Sequence, residues 1–211
     1  MEIKPDHFDD LRIIKKVMEE SSRFLSLSGL SGIIAGLIAL AGAMIALFGF
    51  LHGKILLVEG YFNGFTSTDL KTLIFWLAAD ALVVLILAVS ASLFYSYRKS
   101  LRKGLKMWTP VSKRLLTSML IPLMTGGILI VVLCFRSVWH LIIPFMLIFY
   151  GLALVNAGKF TYSEVFYLGI LEIITGLLSS VFPAYGFLFW CFGFGILHIT
   201  YGLIMYRKYE G

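Results

Sequence analysis

The stretch that decides the fold runs from Phe24 to Phe50 and reads FLSLSGLSGIIAGLIALAGAMIALFGF, without one charged side chain. The hydrocarbon core of a bilayer is about 30 Å thick, and a helix needs roughly 20 apolar residues to cross it. This stretch is long enough and apolar enough to do so. It therefore predicts a transmembrane helix.

The rest of the chain repeats this pattern. Of its 211 residues 59% are hydrophobic, and the mean hydropathy is +0.91, whereas soluble domains are usually about 45–50% apolar. We expect an all-α polytopic membrane bundle of six helices, preceded by an amphipathic segment at 1–23 and followed by a short tail at 207–211. The predicted membrane helices cover residues 24–50, 73–97, 115–135, 138–157, 162–181 and 185–206.

The distribution of basic residues predicts the orientation of these helices. With both ends of the chain in the cytoplasm, fifteen of the 18 Lys and Arg residues lie on the cytoplasmic side. Lys and Arg concentrate on that side of membrane proteins. The loop at 98–114 carries seven of them and no acidic residue. We expect the chain to lie in a bacterial-type inner membrane with its N- and C-termini inside.

The net charge of +6 does not indicate nucleic acid binding, because the basic residues flank apolar runs and form no face of their own. The expected partners are the lipid bilayer and, at the basic loop 98–114, anionic lipid headgroups. Whether the chain forms a homo-oligomer is left open. In the same loop, Thr109 and Pro110 form a typical cap and first turn for the third helix.

The N-terminal segment 1–23 is predicted to be a surface helix on the inner face of the membrane. Phe8, Leu11, Ile14 and Met18 recur at helical spacing, and the opposite side is charged. An ordinary solvated helix is the alternative. The segment has no short apolar run like that of a cleavable signal peptide, so we expect the first membrane helix to direct insertion.

Paired glycines recur at a spacing of seven residues in several helices. GILEIITGLL begins at Gly169 and matches GILHITYGLI, which begins at Gly195; the first helix contains the similar GLSGIIAGLI from Gly29. Glycines at this spacing share a helical face and let two backbones approach closely, so they predict packing seams. The pairs are Gly29 with Gly36, Gly151 with Gly158, Gly169 with Gly176 and Gly195 with Gly202, and Gly32 joins the first pair at the GxxxG spacing before Gly36.

These glycine-punctuated helices, GIL…GLL and GIL…GLI before and after a proline turn, resemble those of the HdeD-like acid-resistance membrane proteins. The resemblance covers the segment from Gly169 to Ile204 and part of the first helix, about a third of the chain. It implies a six-helix bacterial inner-membrane protein that is linked to stress and has no known catalytic residue.

Ionisable groups within membrane helices are costly and usually face the interior of the bundle. Glu172 and His198 occupy equivalent places in the two repeats, each three residues after a glycine. Counted from the turn at Pro183, they differ in depth by four residues, about 6 Å, so their side chains can meet. We expect a structural polar contact; a proton relay and the absence of any contact are the alternatives.

The other polar candidates are Asp80, His140 and the milder Asn156. Asp80 is expected in the outer leaflet, where it can pair with Arg136 or His140. A metal or haem site built from His52 and His140 is a weaker hypothesis, because no ligand-spaced motif such as HxxxH is present. We therefore predict no metal and no cofactor.

The chain has no nucleophile elbow, no paired-carboxylate motif and no phosphate-binding loop, so an enzymatic function is not predicted. Cys134 and Cys191 lie singly in apolar stretches, where we expect inert thiols. A non-enzymatic protein with a structural or stress-related role is the first hypothesis. A small transporter or channel with a proton-linked Glu–His pair is the second, and a haem- or metal-binding membrane protein is the third.

Overall fold

The computed structural model describes residues 24, 26–51, 67–104 and 106–210. Within these ranges the chain is helical and contains no strand. The predicted amphipathic segment at 1–23, His52 and most of the loop between the first two helices, which is predicted to be outside, lie outside the described residues.

Six helices in the described part are long and apolar enough to cross a membrane, as the sequence predicts. Together they indicate a multi-pass membrane protein. Their bounds are α1, Gly29–Phe50; α2, Ser67–Arg102; α3, Pro110–Phe135; α4, Trp139–Gly158; α5, Ser163–Val181; and α6, Pro183–Tyr209.

The helix ends differ from the predicted limits by a few residues. α1 begins at Gly29 because the backbone at Ser28 is still extended, and the Phe24 amide donates to the carbonyl of Phe160 at 2.7 Å. α2 continues past the apolar stretch to Arg102, since Arg, Lys and Ser residues are compatible with a helix beyond its apolar part. Hydropathy locates the apolar part of a helix and not the point where its hydrogen bonding stops.

α3 begins earlier than hydropathy predicts, at Pro110, because of its cap. The Thr109 side chain accepts from the Ser112 amide at 3.1 Å, and the Ser112 hydroxyl accepts from the Thr109 amide at 2.7 Å. This reciprocal pair is a capping box, and Pro110 occupies the first helical position. The predicted role of Thr109 and Pro110 is confirmed.

Two membrane helices contain π-helical segments, which the sequence did not predict. Ala46–Phe50 ends α1, and Cys191–Leu197 lies in the middle of α6. A π segment adds one residue to a turn, and such segments are frequent at functional sites. The one in α6 leads directly into His198.

The helices pack in a definite order. α5 lies against α4, α1 lies between α2 and α6, and α3 lies against α4. α6 also contacts α5, which joins the two groups. Of the apolar windows of α2 and α3, only 11% and 6% are buried, so these two helices expose most of their surface.

Glycines line the two closest seams, one between α1 and α6 and the other between α4 and α5. A methyl group added at Gly36 would lie 2.7 Å from the Gly195 carbonyl oxygen, and one at Gly169 would lie 2.7 Å from that of Gly151. The repeated glycine pattern therefore serves two antiparallel seams of the same kind. All nine glycines named from the sequence lie within such close reach of neighbouring helices.

The main apolar core lies toward the end of the bundle where α5 begins and α6 ends. Leu154, Val165, Leu168 and Met205 are buried there, and Leu115 of α3 joins them. We call this group, with Ala157, the apolar plug. Charge patterning predicts that this end faces the cytoplasm.

Candidate functional site

Glu172 lies on α5 in the interior of the bundle, with no exposed surface. It shares a face with Gly169 and Gly176, the glycines that bring α5 against α4. Opposite it on α6 is Gly193, where an added methyl group would lie 2.6 Å from Oε2 of Glu172. The absence of a side chain at Gly193 therefore makes room for the carboxyl group.

His198 is the partner of Glu172 across the α5–α6 contact. Its Nδ1 lies 3.4 Å from Oε1 of Glu172 and 3.0 Å from the carbonyl oxygen of Gly193. The structure thus brings together the two residues that the repeat aligned. The π segment matters here, because it ends next to His198 and places the Gly193 carbonyl beside the imidazole ring.

Tyr150 of α4 completes the site, and the sequence did not single it out. Its hydroxyl lies 2.7 Å from Nε2 of His198, and its ring stacks on the imidazole with centroids 5.4 Å apart. The Phe194 ring lies tilted against the Tyr150 ring, with centroids 5.2 Å apart, and stacks on the imidazole of His198 at 6.2 Å. We call Tyr150, Glu172 and His198 the polar cluster; it joins α4, α5 and α6.

Hydrogen bonding in the polar cluster is incomplete. If Nδ1 of His198 donates to the Gly193 carbonyl, then Nε2 accepts from the Tyr150 hydroxyl, and a neutral imidazole is fully satisfied. Both carboxyl oxygens of Glu172 are nevertheless buried and have no hydrogen-bond partner among the described residues. A second arrangement, with Nδ1 turned acceptor and Glu172 protonated, would satisfy one of those oxygens.

A line of small polar residues continues from Glu172 along the same face of α5. Thr175 and Ser179 lie one and two turns further on, and both are buried. The Thr175 hydroxyl donates to the Leu171 carbonyl at 2.7 Å, whereas the Ser179 hydroxyl has no partner in the described part of the chain. The opposite direction along this face leads to Leu168 and Val165, which are apolar and buried.

The structure does not bring Asp80 to either proposed partner. Asp80 lies on α2 near Gly42 of α1, whereas Arg136 and His140 are exposed at the turn between α3 and α4. α2 packs on α1 and α3 packs on α4, so the two positions lie on different parts of the bundle. The prediction failed because it compared depth alone, without knowing which helices are neighbours.

The remaining candidates are simpler. The Asn156 side chain accepts from Lys159 at 3.3 Å near the end of α4. His52 cannot be placed, since it lies outside the described residues, so the His52–His140 hypothesis stays a prediction. In the part of the chain that the structure describes, no three His, Cys, Asp or Glu side chains converge on one point.

A second polar group, which sequence reasoning missed, joins three helices at the end of the bundle where α6 ends. The Glu210 carboxylate accepts from the Gly29 amide at 2.7 Å and from the Ser28 hydroxyl at 3.1 Å. It also pairs with the ammonium group of Lys99 at 3.0 Å. An anion at the first turn of α1 is favourable, because the amide groups there point toward it and the helix dipole is positive.

The prediction for the loop 98–114 places Lys99 among the charges that face lipid headgroups, but the structure buries its side chain. It is 7% exposed, donates to the Leu27 carbonyl at 2.5 Å and lies over the Tyr162 ring at 5.4 Å. Glu210 thus links the ends of α1, α2 and α6; we call this contact the terminal latch. The sequence does contain a sign of this ion pair. The basic residues from Arg98 to Lys103 and the acidic Glu210 all lie near the ends of predicted helices.

Comparison with known proteins finds no matching family model, no similar curated protein and no similar solved structure.

Proposed function

We propose that this chain is a non-enzymatic, multi-pass protein of a bacterial-type inner membrane, with a structural or stress-related role. The polar cluster would act as the contact that fixes the arrangement of α4, α5 and α6. The bias of Lys and Arg toward one set of loops supports an inner-membrane orientation with both termini inside. The likeness to HdeD-like proteins is the basis for the expected link to stress.

One observation carries the structural part of the proposal. Glu172 of α5, His198 of α6 and Tyr150 of α4 meet in a buried position, within 3.4 Å and 2.7 Å at the two contacts. Separating these helices would break the Tyr150–His198 hydrogen bond and would remove the imidazole from beside the Glu172 carboxyl group. A polar group left without a partner in an apolar medium costs several kcal/mol. The cluster therefore favours one register of the three helices over others.

A double-mutant cycle in lipid tests this contact. Glu172→Gln and His198→Gln should each lower the free energy of unfolding, and the double variant should cost less than the sum by about 0.5–2 kcal/mol. As a matched control, Glu172→Gln is combined with Thr200→Val, an exposed position two residues from His198. That pair should be additive.

The outcomes separate the proposed function from the proton-linked alternative. Coupling between Glu172 and His198 without pH-dependent transport in proteoliposomes supports the structural role. Additive effects would show that the 3.4 Å contact contributes nothing to stability and would overturn it. Solute or proton transport that both single variants abolish would replace it with the small transporter or channel.

A further inference from the structure

We propose that the polar cluster exchanges one proton with water at the end of the bundle where α5 joins α6, through a route lined by Thr175 and Ser179. Charge patterning predicts that this end faces outward. The inference rests on the membrane placement proposed above, but it does not depend on a coupling energy between Glu172 and His198.

The first support is the state of the Glu172 carboxyl group. Both of its oxygens are buried without a hydrogen-bond partner among the described residues, whereas nearly all buried polar groups in proteins have one. A contact that served stability alone would gain by satisfying these oxygens. A carboxyl group that binds and releases a proton must instead keep a free oxygen position, and Gly193 provides the space for it.

The second support is that the neighbouring groups can accommodate the proton. His198 lies 3.4 Å from Oε1 of Glu172 and can hold the proton on Nδ1. Tyr150 can donate to Nε2 or accept from it at 2.7 Å. Uptake transfers one proton from hydronium to the carboxylate or to the imidazole, and release returns it to water. No other bond forms or breaks.

The third support is an asymmetry along α5. From Glu172 toward Val181, the buried face carries Thr175 and Ser179, and the Ser179 hydroxyl is unpartnered in the described structure. Residues at these spacings lie above one another on one helical face. Hydroxyl groups can pass a proton by accepting and donating at the same oxygen. To do so the Thr175 hydroxyl must give up its bond to the Leu171 carbonyl, whereas the Ser179 hydroxyl has no such bond among the described residues. This face therefore offers a route to the helix end.

The opposite direction is closed by the apolar plug. Leu168 and Val165 continue the same face of α5, and Leu154 and Met205 cover it from α4 and α6. These aliphatic side chains neither donate nor accept hydrogen bonds. A group on this side that can do so is the buried Tyr201 hydroxyl, which has no hydrogen-bond partner among the described residues. We expect the aliphatic side chains to isolate it from the cytoplasmic end, so that the cluster exchanges protons with one side of the membrane and does not conduct them across it.

Few other titratable groups face the cluster. α1 packs on α6 and carries no titratable side chain from Gly29 to Phe50. From α4 the facing group is Tyr150, and from α6 they are His198 and Tyr201. Tyr201 lies one turn beyond His198, toward the apolar plug, and so tests the opposite direction.

Infrared difference spectroscopy on the full chain in lipid nanodiscs tests the exchange directly. The carbonyl band of a protonated Glu172 should rise and fall reversibly with pH and should be absent from Glu172→Gln. His198→Gln and Tyr150→Phe should each move its midpoint by about one pH unit, because each removes a neighbour of the carboxyl group or of its partner. A carbonyl band whose intensity does not change with pH would overturn the proposal.

The route is tested by transferring the protein rapidly into deuterated buffer. The measured quantity is the rate at which the carbonyl band of Glu172 shifts as deuterium replaces the proton. Thr175→Val with Ser179→Ala should slow the response by about tenfold, the effect of losing a hydrogen-bonded step. Ser179→Ala alone should slow it as well, and this variant is expected to fold because Oγ has no hydrogen-bond partner to lose among the described residues.

Two control variants define the result. Ser180→Ala removes an exposed hydroxyl of α5 that donates to the Leu177 carbonyl. Tyr201→Phe removes the hydroxyl that lies on the side of the apolar plug. Both should respond like the unmodified chain. Equal rates in the Ser179→Ala and Ser180→Ala variants, or slowing by Tyr201→Phe, would overturn the assigned route.

Discussion

Replacing Gly169 by alanine tests how closely the α4–α5 seam is packed. The added methyl group would lie 2.7 Å from the Gly151 carbonyl oxygen and 2.7 Å from the Val155 amide nitrogen, whereas ordinary contact begins at 3.4 Å. Both obstacles are backbone atoms of a helix, which cannot rotate away as a side chain can. The two helices must therefore move apart by several tenths of an ångström.

The expected magnitude follows from two opposing effects. Overpacking a close interface costs about 1–3 kcal/mol, and alanine gains about 0.5–1 kcal/mol over glycine within a helix. The net destabilisation of Gly169→Ala should be about 1–2 kcal/mol. Gly127→Ala is the matched control, because Gly127 is helical and exposed and has nothing within 4 Å of the added methyl. That variant should be slightly stabilised.

Reversible unfolding in bicelles, followed by helical circular dichroism or by steric trapping, measures both variants under one condition. We expect Gly169→Ala to unfold more easily than the unmodified chain and Gly127→Ala to resist unfolding at least as well as that chain. If Gly169→Ala were as stable as Gly127→Ala, the seam would be loose and the glycine pattern would not report packing.

Three further substitutions have defined outcomes. Gly36→Leu should destabilise more than Gly169→Ala, because a leucine must fit against the Gly195 carbonyl and Ile199; unchanged melting would show that this face of α1 does not pack on α6. Glu210→Gln should lower the free energy of unfolding by about 2 kcal/mol, because it leaves buried Lys99 without its counterion. Lys208→Gln, which breaks an exposed pair with Glu164, should lower it by under about 1 kcal/mol. Equal losses of stability in a melting assay would argue against the terminal latch. Thr109→Ala should cost about 1 kcal/mol through loss of the α3 cap, and a Ser112→Ala variant that costs nothing would contradict the reciprocal hydrogen bonds.

The sequence predicts the six helices because apolar length is a property of each segment alone. The Glu172–His198 contact was also within reach, since the repeat aligned the two residues and the turn at Pro183 fixed their relative depth. By contrast, Asp80 failed as a partner for Arg136, because no local pattern states that α2 packs on α1 and α3 packs on α4.

Other features depend on information that hydropathy does not carry. Tyr150 is one of several aromatic residues in apolar helices, and the sequence does not distinguish it from the others. What indicates that it lies near α5 is the adjacent Gly151, which packs against α5. Lys99 and Glu210 were treated as charges outside the membrane, although helix ends that meet can bury such a pair. The π segment before His198 has no recognised sequence signature here.

The membrane architecture underlies the structural proposal and the outward proton route alike, and topology mapping tests it most directly. Reporter domains are fused after Gly64, after Lys103 and after Tyr209 in otherwise identical chains. The account predicts that the Gly64 fusion reports the outer side and that the Lys103 and Tyr209 fusions report the cytoplasm. A cytoplasmic signal at Gly64, or an outer signal at Lys103, would contradict the predicted topology and the outward direction of the proton route.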